Sequence, residues 1–472
     1  MLQALANTFD SSSRDHSSFQ GTPAYKPAHL SHVTAIAPDG TASLFLVVYL
    51  PESYGPASDA VSACVQAKIG RGQWQIMERS ALEGNGTTDT QAEKDFWTLQ
   101  VEGVPPGTAV TFRYIDHQGT WRPLQPLNDL ETVRGTSYVP NLAYQWKYKS
   151  PEFDHAKVLM ETTLEGLLAG YKGGLFAPRS LEEMFQLSTA KRILKTDIPG
   201  RIAEWSVDEI MVPVSSSVAD RSQLDPKFNY LTYNGVGLDW QIGTARDFMQ
   251  LLDTFHQYNI RVVPDLIFAH QVKEPFKGSI DQVRRANGEK LVVDIHAFLF
   301  RDYGTWMFKL SDPNVRRLLI ENIVAFIAKF RLSMFRIDYI DGLILQYSNR
   351  DRNHAETFVA ELKEELRRAV PETVALGETF EVASNPFVSD FIDVFYAPVG
   401  FTIVEELYKP PSKMARPLYP DVAHLAMELS REARSQRRDA VYAQLHDETW
   451  YCQHIVTGRP YVPWHTAVIL PS

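Results

Sequence analysis

Three short segments in the second half of the chain each place one acidic residue where an apolar run stops. They are Phe335-Arg336-Ile337-Asp338, Gly377-Glu378-Thr379-Phe380 and Leu445-His446-Asp447-Glu448. A fourth, Asp265-Leu266-Ile267-Phe268-Ala269-His270, follows an apolar run earlier on. One acid at a strand end is ordinary. Several, each closing its own strand in an alternating strand and helix pattern, predict carboxylates converging on one mouth, the layout that glycosidic bond chemistry needs.

Arg336 and Asp338, two residues apart on a strand, point to the same side. A cation so placed holds a carboxylate ionised and fixed in direction, as a nucleophilic carboxylate requires. A structural ion pair at a strand end explains the same two residues equally well. Glu378 stands between Gly377 and Thr379-Phe380. Aromatic surface beside a carboxyl group strips its solvation and favours the protonated form, which suits a general acid. His446-Asp447 reads as a pair able to donate to one sugar hydroxyl and accept from others, and His270 could donate likewise. No histidine cluster has metal-ligand spacing, so a catalytic metal is not expected.

The elements that would position these groups fall into two blocks. From about Ser43 to Gln125 the period is that of strands: Ser43–Leu50, Phe96–Val101 and Thr108–Ile115, separated by Gly103, Pro105, Pro106 and Gly107. Short strands between turn signals predict a β-sandwich. Trp97 falls on the apolar face and is expected in the core. Trp74 and Trp121 lie near glycine-containing turns and are the better candidates for stacking on a sugar ring. From about Val158 strands alternate with helices, which predicts a parallel sheet covered by helices. Thr244, with Asp247 three residues on, begins a helix through His256. Asp312-Pro313 begins another, and Asn353 with Glu356 a third. Strand candidates lie near residues 158, 207, 262, 335, 375, 393 and 442, with Phe391–Tyr396 as the sixth. Only the tail Thr466–Leu470 is left to supply an eighth.

With 472 residues, two or three domains are expected. The reading is a flexible start at 1–20, a sandwich at 21–150 and a barrel at 151–472. The formal net charge of −10 disfavours nucleic acid or an anionic membrane as partner. The two cysteines, Cys64 and Cys452, give neither a metal-binding spacing nor a disulfide framework. The start of the chain has no basic stretch followed by an apolar core, and no apolar run approaches membrane-spanning length, so a cytoplasmic protein is expected.

In their order and spacing the four acidic motifs resemble the α-amylase superfamily, glycoside hydrolase family 13, over roughly Val158 to Glu448. The resemblance implies an α/β fold, a (β/α)8 TIM barrel. It implies Asp338 as the nucleophile, Glu378 as the acid/base and Asp447 as the third carboxylate, with Arg336 supporting the nucleophile. His270 and His446 would contact the sugar, Asp265 would brace the motif around His270, and Tyr230, in Phe228-Asn229-Tyr230, would supply an aromatic platform. Within the superfamily the chain looks most like 1,4-α-glucan (glycogen) branching enzymes. That similarity rests on His446-Asp447-Glu448 and on Asp341-Gly342-Leu343-Ile344-Leu345-Gln346-Tyr347-Ser348. The N-terminal strands resemble the family 48 carbohydrate-binding module. An α-glucan partner (amylose, glycogen or starch), retention at the anomeric carbon and a reaction that needs no cofactor follow from the resemblance. Branching, α-1,4 or α-1,6 hydrolysis, and glucan binding without catalysis all remain open at this stage. Three departures are visible. Ala269 stands where the family usually has Asn, and Met334 where it usually has Gly. The chain ends 25 residues past Asp447 (472 − 447), leaving no room for the family's usual C-terminal β-domain.

Overall fold

The computed structural model describes residues 25–50, 65–80, 96–115, 119–124, 126–133, 136–151, 157–168, 188–214, 236–268, 271–272, 292–294, 305–308, 310–347, 352–379, 385–396, 438–442 and 465–469. The regular elements among the described residues of the N-terminal part are strands: β1 (His32–Ile36), β2 (Ala42–Tyr49), β3 (Val65–Ile69), β4 (Trp74–Ile76), β5 (Glu78–Ser80), β6 (Phe96–Val104), β7 (Ala109–Ile115), β8 (Trp121–Leu124), β9 (Glu131–Val133) and β10 (Thr136–Tyr138). One antiparallel sheet runs β1-β2-β6-β5. The other runs β4-β3-β7-β10-β9, with β8 also on β7. Leu44, Leu46 and Val48 from the first sheet and Val65, Ala67, Val110 and Phe112 from the second lie in one buried cluster. Trp97 is buried with them, as its place on the apolar face predicts.

The second part is a closed barrel. Its first strands are β11 (Lys157–Glu161), β12 (Glu209–Pro213) and β13 (Arg261–Leu266). A small sheet of β14 (Gln271–Val272), β15 (Val292–Asp294) and β16 (Thr305–Phe308) follows. The barrel then continues through β17 (Met334–Ile337), β18 (Val374–Glu378), β19 (Val394–Tyr396), β20 (Arg438–Tyr442) and β21 (His465–Ile469). Strands β11 to β20 of the barrel pair in parallel. β21 closes the ring but runs antiparallel to both β20 and β11. The expected (β/α)8 barrel is corrected at this point, because its strands would all be parallel. Closure requires that the two free edges find ladder partners, and an antiparallel strand satisfies their N–H and C=O groups as well as a parallel one.

The helices that space the strands start where local chemistry says they should. Thr244 Oγ1 accepts the Asp247 N–H at 3.1 Å and Asp247 Oδ2 accepts the Thr244 N–H at 3.2 Å, opening the helix Ala245–Gln257. Asp312 caps Pro313–Lys329 through the Asn314 and Val315 amides. Asn353 is a correction: the helix begins at Arg352, so Asn353 lies inside it. Glu356 instead accepts from Asn385 Nδ2 at 3.0 Å, and Asn385 caps the next helix, Pro386–Phe391, through the Phe387 amide. Phe391 therefore ends a helix rather than opening the sixth strand, which starts at Val394. Ser206, Asn259 and Arg331 take φ of 57°, 57° and 50° where helices turn into β12, β13 and β17. Ile260 N–H to Phe255 O and Leu332 N–H to Ile327 O, both 3.0 Å, close two of these helices in the same way.

The sheets meet the barrel through polar groups. The helix Pro313–Lys329 is buried almost all round, polar residues included, because the barrel covers one side and the N-terminal segment the other. His29 Nδ1 lies 2.6 Å from Glu321 Oε1, and Lys329 Nζ lies 2.5 Å from Asp129 Oδ1. The connecting segment is tied down by buried Asp253, whose carboxylate accepts from Tyr144 Oη at 2.8 Å and from the Lys147 and Tyr148 amides at 3.1 and 2.9 Å. Asp253→Ala is expected to cost about 2 kcal/mol, since water can replace part of these bonds on the exposed side. Urea melts and faster proteolytic nicking within residues 141–150 would register it.

Glu131 of β9 accepts the Ala245 N–H at 2.5 Å at the start of the helix Ala245–Gln257. Burial pushes its carboxyl from 4.5 up to about 7, against the lowering pull of the Ala245 amide and Lys329. An acid with a raised folded pKa stabilises the fold at low pH, and that contribution fades as pH rises from 4.5 through about 7. Glu131→Gln is expected to leave stability at pH 5 nearly unchanged and to raise it at pH 8. The gain is on the order of 1–2 kcal/mol, discounted because the residue keeps some contact with water. Chemical denaturation at the two pH values checks this. No helix among the described residues is long and apolar enough to cross a membrane.

Candidate active site

Parallel pairing brings the C-terminal ends of the barrel strands to one face. Register then decides which side chains meet there. Asp265 on β13 lies opposite Arg336 on β17, and Ile337 lies opposite Gly377 on β18. The next residues along, Asp338 and Glu378, are therefore neighbours at the mouth.

Arg336 joins them. Its Nη1 donates to Asp265 Oδ2 at 2.5 Å and to Asp338 Oδ1 at 2.9 Å, and its Nη2 lies 2.9 Å from Glu378 Oε2. The same Glu378 oxygen accepts the Tyr339 N–H at 2.8 Å. Arg336 is 2 % exposed, Asp265 0 %, Asp338 5 % and Glu378 6 %, so water screens these contacts little. The planar fork of arginine is what lets one cation hold several carboxylates in fixed directions. A second buried pair, Arg261 Nη1 to Glu209 Oε1 at 2.7 Å, sits at the opposite ends of β12 and β13. That pair is a structural tie, and Arg261 also donates to the Pro151 carbonyl.

Asp265, Arg336, Asp338 and Glu378 are thus brought together. His270, His446, Asp447 and Tyr230 lie outside the described residues, as do Phe380 and Ala269. Gly377 has a packing reason: a Cβ there would stand 2.8 to 3.0 Å from three side-chain atoms of Ile392. Tyr339 is the participant that sequence reasoning missed. Its backbone N–H contacts Glu378, and its φ of 49° has no signature in residue type. In the N-terminal part, the Arg113 guanidinium lies over both tryptophans singled out for sugar stacking, 4.0 Å from the Trp74 ring and 4.3 Å from the Trp121 ring. Gln66 Oε1 holds it there, accepting from Nε at 2.9 Å and Nη2 at 2.6 Å.

No protein-family profile matches the chain. Among curated proteins it is 27 % identical over 158 residues to a 1,4-α-glucan branching enzyme, GlgB, of Mycobacterium ulcerans, covering 29 % of this chain and 20 % of that protein. It is 22 % identical over 224 residues to the GlgB of a Mycobacterium sp. (strain KMS), covering 43 % of this chain and 28 % of that protein. These matches therefore take in between a fifth and somewhat over a quarter of the curated relatives' length. Among solved structures, an Anoxybacillus pullulanase complexed with maltotetraose aligns at TM-score 0.60 and 13 % identity, covering 88 % of this chain and 59 % of that one. A Salmonella typhimurium protein described as an α-amylase aligns at TM-score 0.53 and 16 % identity, covering 87 % and 60 %. The chain resembles the α-amylase superfamily, and branching enzymes within it. At these identities the structural matches establish the shared barrel fold.

Proposed function

We propose that the chain acts on α-glucans by a retaining double displacement, and that the reaction is branching. The observation that carries this reading is the single buried guanidinium of Arg336 holding Asp265, Asp338 and Glu378 at the ends of three adjacent barrel strands. Asp338 would attack the anomeric carbon while the glycosidic C–O bond breaks and Glu378 gives its proton to the leaving oxygen. The glycosyl chain is then held as an ester of Asp338. Glu378, now ionised, takes the proton of an acceptor 6-hydroxyl, whose oxygen attacks the same carbon and frees Asp338. Asp265 and Arg336 keep the nucleophile in line. Asp447 and His446, with His270, would hold the sugar hydroxyls, and Tyr230 would stack on the ring. The similarity to GlgB proteins supports transfer to a sugar over transfer to water.

Hydrolysis would use the same residues, and the pullulanase neighbours favour testing it. The purified protein is incubated with amylose, and iodine colour is followed together with reducing ends. Colour lost without new reducing ends is the expected result. Colour lost in step with reducing ends would make the enzyme a hydrolase, and no change in either from folded protein would remove the catalytic reading.

A further inference from the structure

We infer that Tyr339 is a positioning residue for Glu378, and that its ring, seated on Gly342, keeps its backbone N–H aimed at that carboxyl group. The inference rests on the acid/base reading of Glu378.

Tyr339 directly follows Asp338 and has φ of 49°, a conformation that residues with a bulky side chain rarely hold. Its carbonyl accepts the Leu343 N–H at 3.3 Å, so it stands just before the helix Ile340–Tyr347. An amide in that place has no partner within the helix and is available to an acceptor. Glu378 Oε2 takes it at 2.8 Å. What holds the backbone in this state lies three residues on. A Cβ on Gly342 would overlap the Tyr339 ring at Cε1 and Cδ1. The ring of half-buried Tyr339 therefore occupies the space that a side chain at position 342 would take. A glycine inside a helix otherwise weakens it, so its use here has a packing cause.

The consequence concerns the proton. Glu378 Oε2 accepts both from the Tyr339 amide and from the Arg336 guanidinium, the latter at 2.9 Å. Both donors favour the ionised carboxylate at that oxygen. The proton that Glu378 delivers is then carried on Oε1, and the amide fixes which way Oε1 faces. Loss of the amide contact weakens the ionised form, so loss of the acid's proton moves to higher pH.

The test is a mutant cycle of Gly342→Ala, Tyr339→Gly and the double variant, read by the pH profile of kcat/KM on amylose. Gly342→Ala is expected to lose about 100-fold and to move the alkaline limb up by on the order of one pH unit. In the Tyr339→Gly background, where no ring covers residue 342, the same alanine should cost little further activity. Equal cost of the alanine in both backgrounds, or an alkaline limb that stays in place in Gly342→Ala and Tyr339→Gly, would overturn the inference. If Gly342→Ala does not fold, Tyr339→Gly alone decides by its alkaline limb. Carboxyl NMR titration, with Glu378→Gln identifying the signal, follows the same group without turnover. A wild-type protein inert towards amylose would sink the proposed function. Glu378 titrating lower in wild type than in Tyr339→Gly would still uphold the role of Tyr339, and equal titration would reject it.

Discussion

Asp338→Ala and Glu378→Gln should each lower turnover of amylose by about 1,000-fold or more, since one removes the nucleophile and the other the only proton donor in the mechanism. Neither change is expected to unfold the protein. With Asp338 gone, Arg336 keeps Asp265 and Glu378 as partners, so no buried cation is left uncompensated. The side-chain amide introduced by Glu378→Gln would keep an oxygen able to accept from the Tyr339 N–H and from Arg336 Nη2, the two donors that Glu378 Oε2 now serves. Initial rates separate this from a structural ion pair. A purely structural role predicts that Glu378→Gln, which conserves shape and acceptors, leaves turnover near the wild-type rate. Thermal melts and amylose affinity run on the same preparations should stay close to wild type. Near wild-type turnover in either variant would remove that residue from the chemistry.

What could be read from the sequence is what local chemistry determines. The Thr244-Asp247 and Asp312-Pro313 helix starts involve groups within three residues of each other, and both form as read. Arg336 and Asp338 meet because alternate strand residues share a side. Several of the failures are decided at long range. Asn353 with Glu356 reads as a helix start, but the helix begins at Arg352, and the Glu356 carboxylate accepts from Asn385, 29 residues away. Nothing local tells Arg336 that its Nη2 will reach Glu378 on the next strand, because strand register depends on the whole barrel. The direction of β21 is likewise not marked in its own residues, because the edges it closes accept a strand of either direction. Tyr339 escaped notice because its contribution is a backbone amide in a left-handed turn, although Gly342 inside a helix marks the spot.

Arg336→Met is expected to be the most destabilising single change at the site, costing about 3–5 kcal/mol. Asp265, Asp338 and Glu378 would remain buried beside one another with their shared cation replaced by an apolar stem. Carboxylates that cannot shed mutual repulsion to water take up protons instead. Folded-state carboxyl groups of the variant then bind protons more tightly than the unfolded chain does, so its stability falls as pH rises. The deficit against wild type should be smaller at pH 5 than at pH 8 in urea melts. Arg336→Lys should lie between the two, because an ammonium keeps the charge but cannot fork to partners on both sides. Its lost activity should exceed its lost stability, since Asp338 and Glu378 would keep a nearby cation while losing their fixed directions. A deficit in Arg336→Met that is the same at both pH values would mean that the cluster owes its stability to packing and not to charge, and that the guanidinium serves only to aim the two reacting carboxyls.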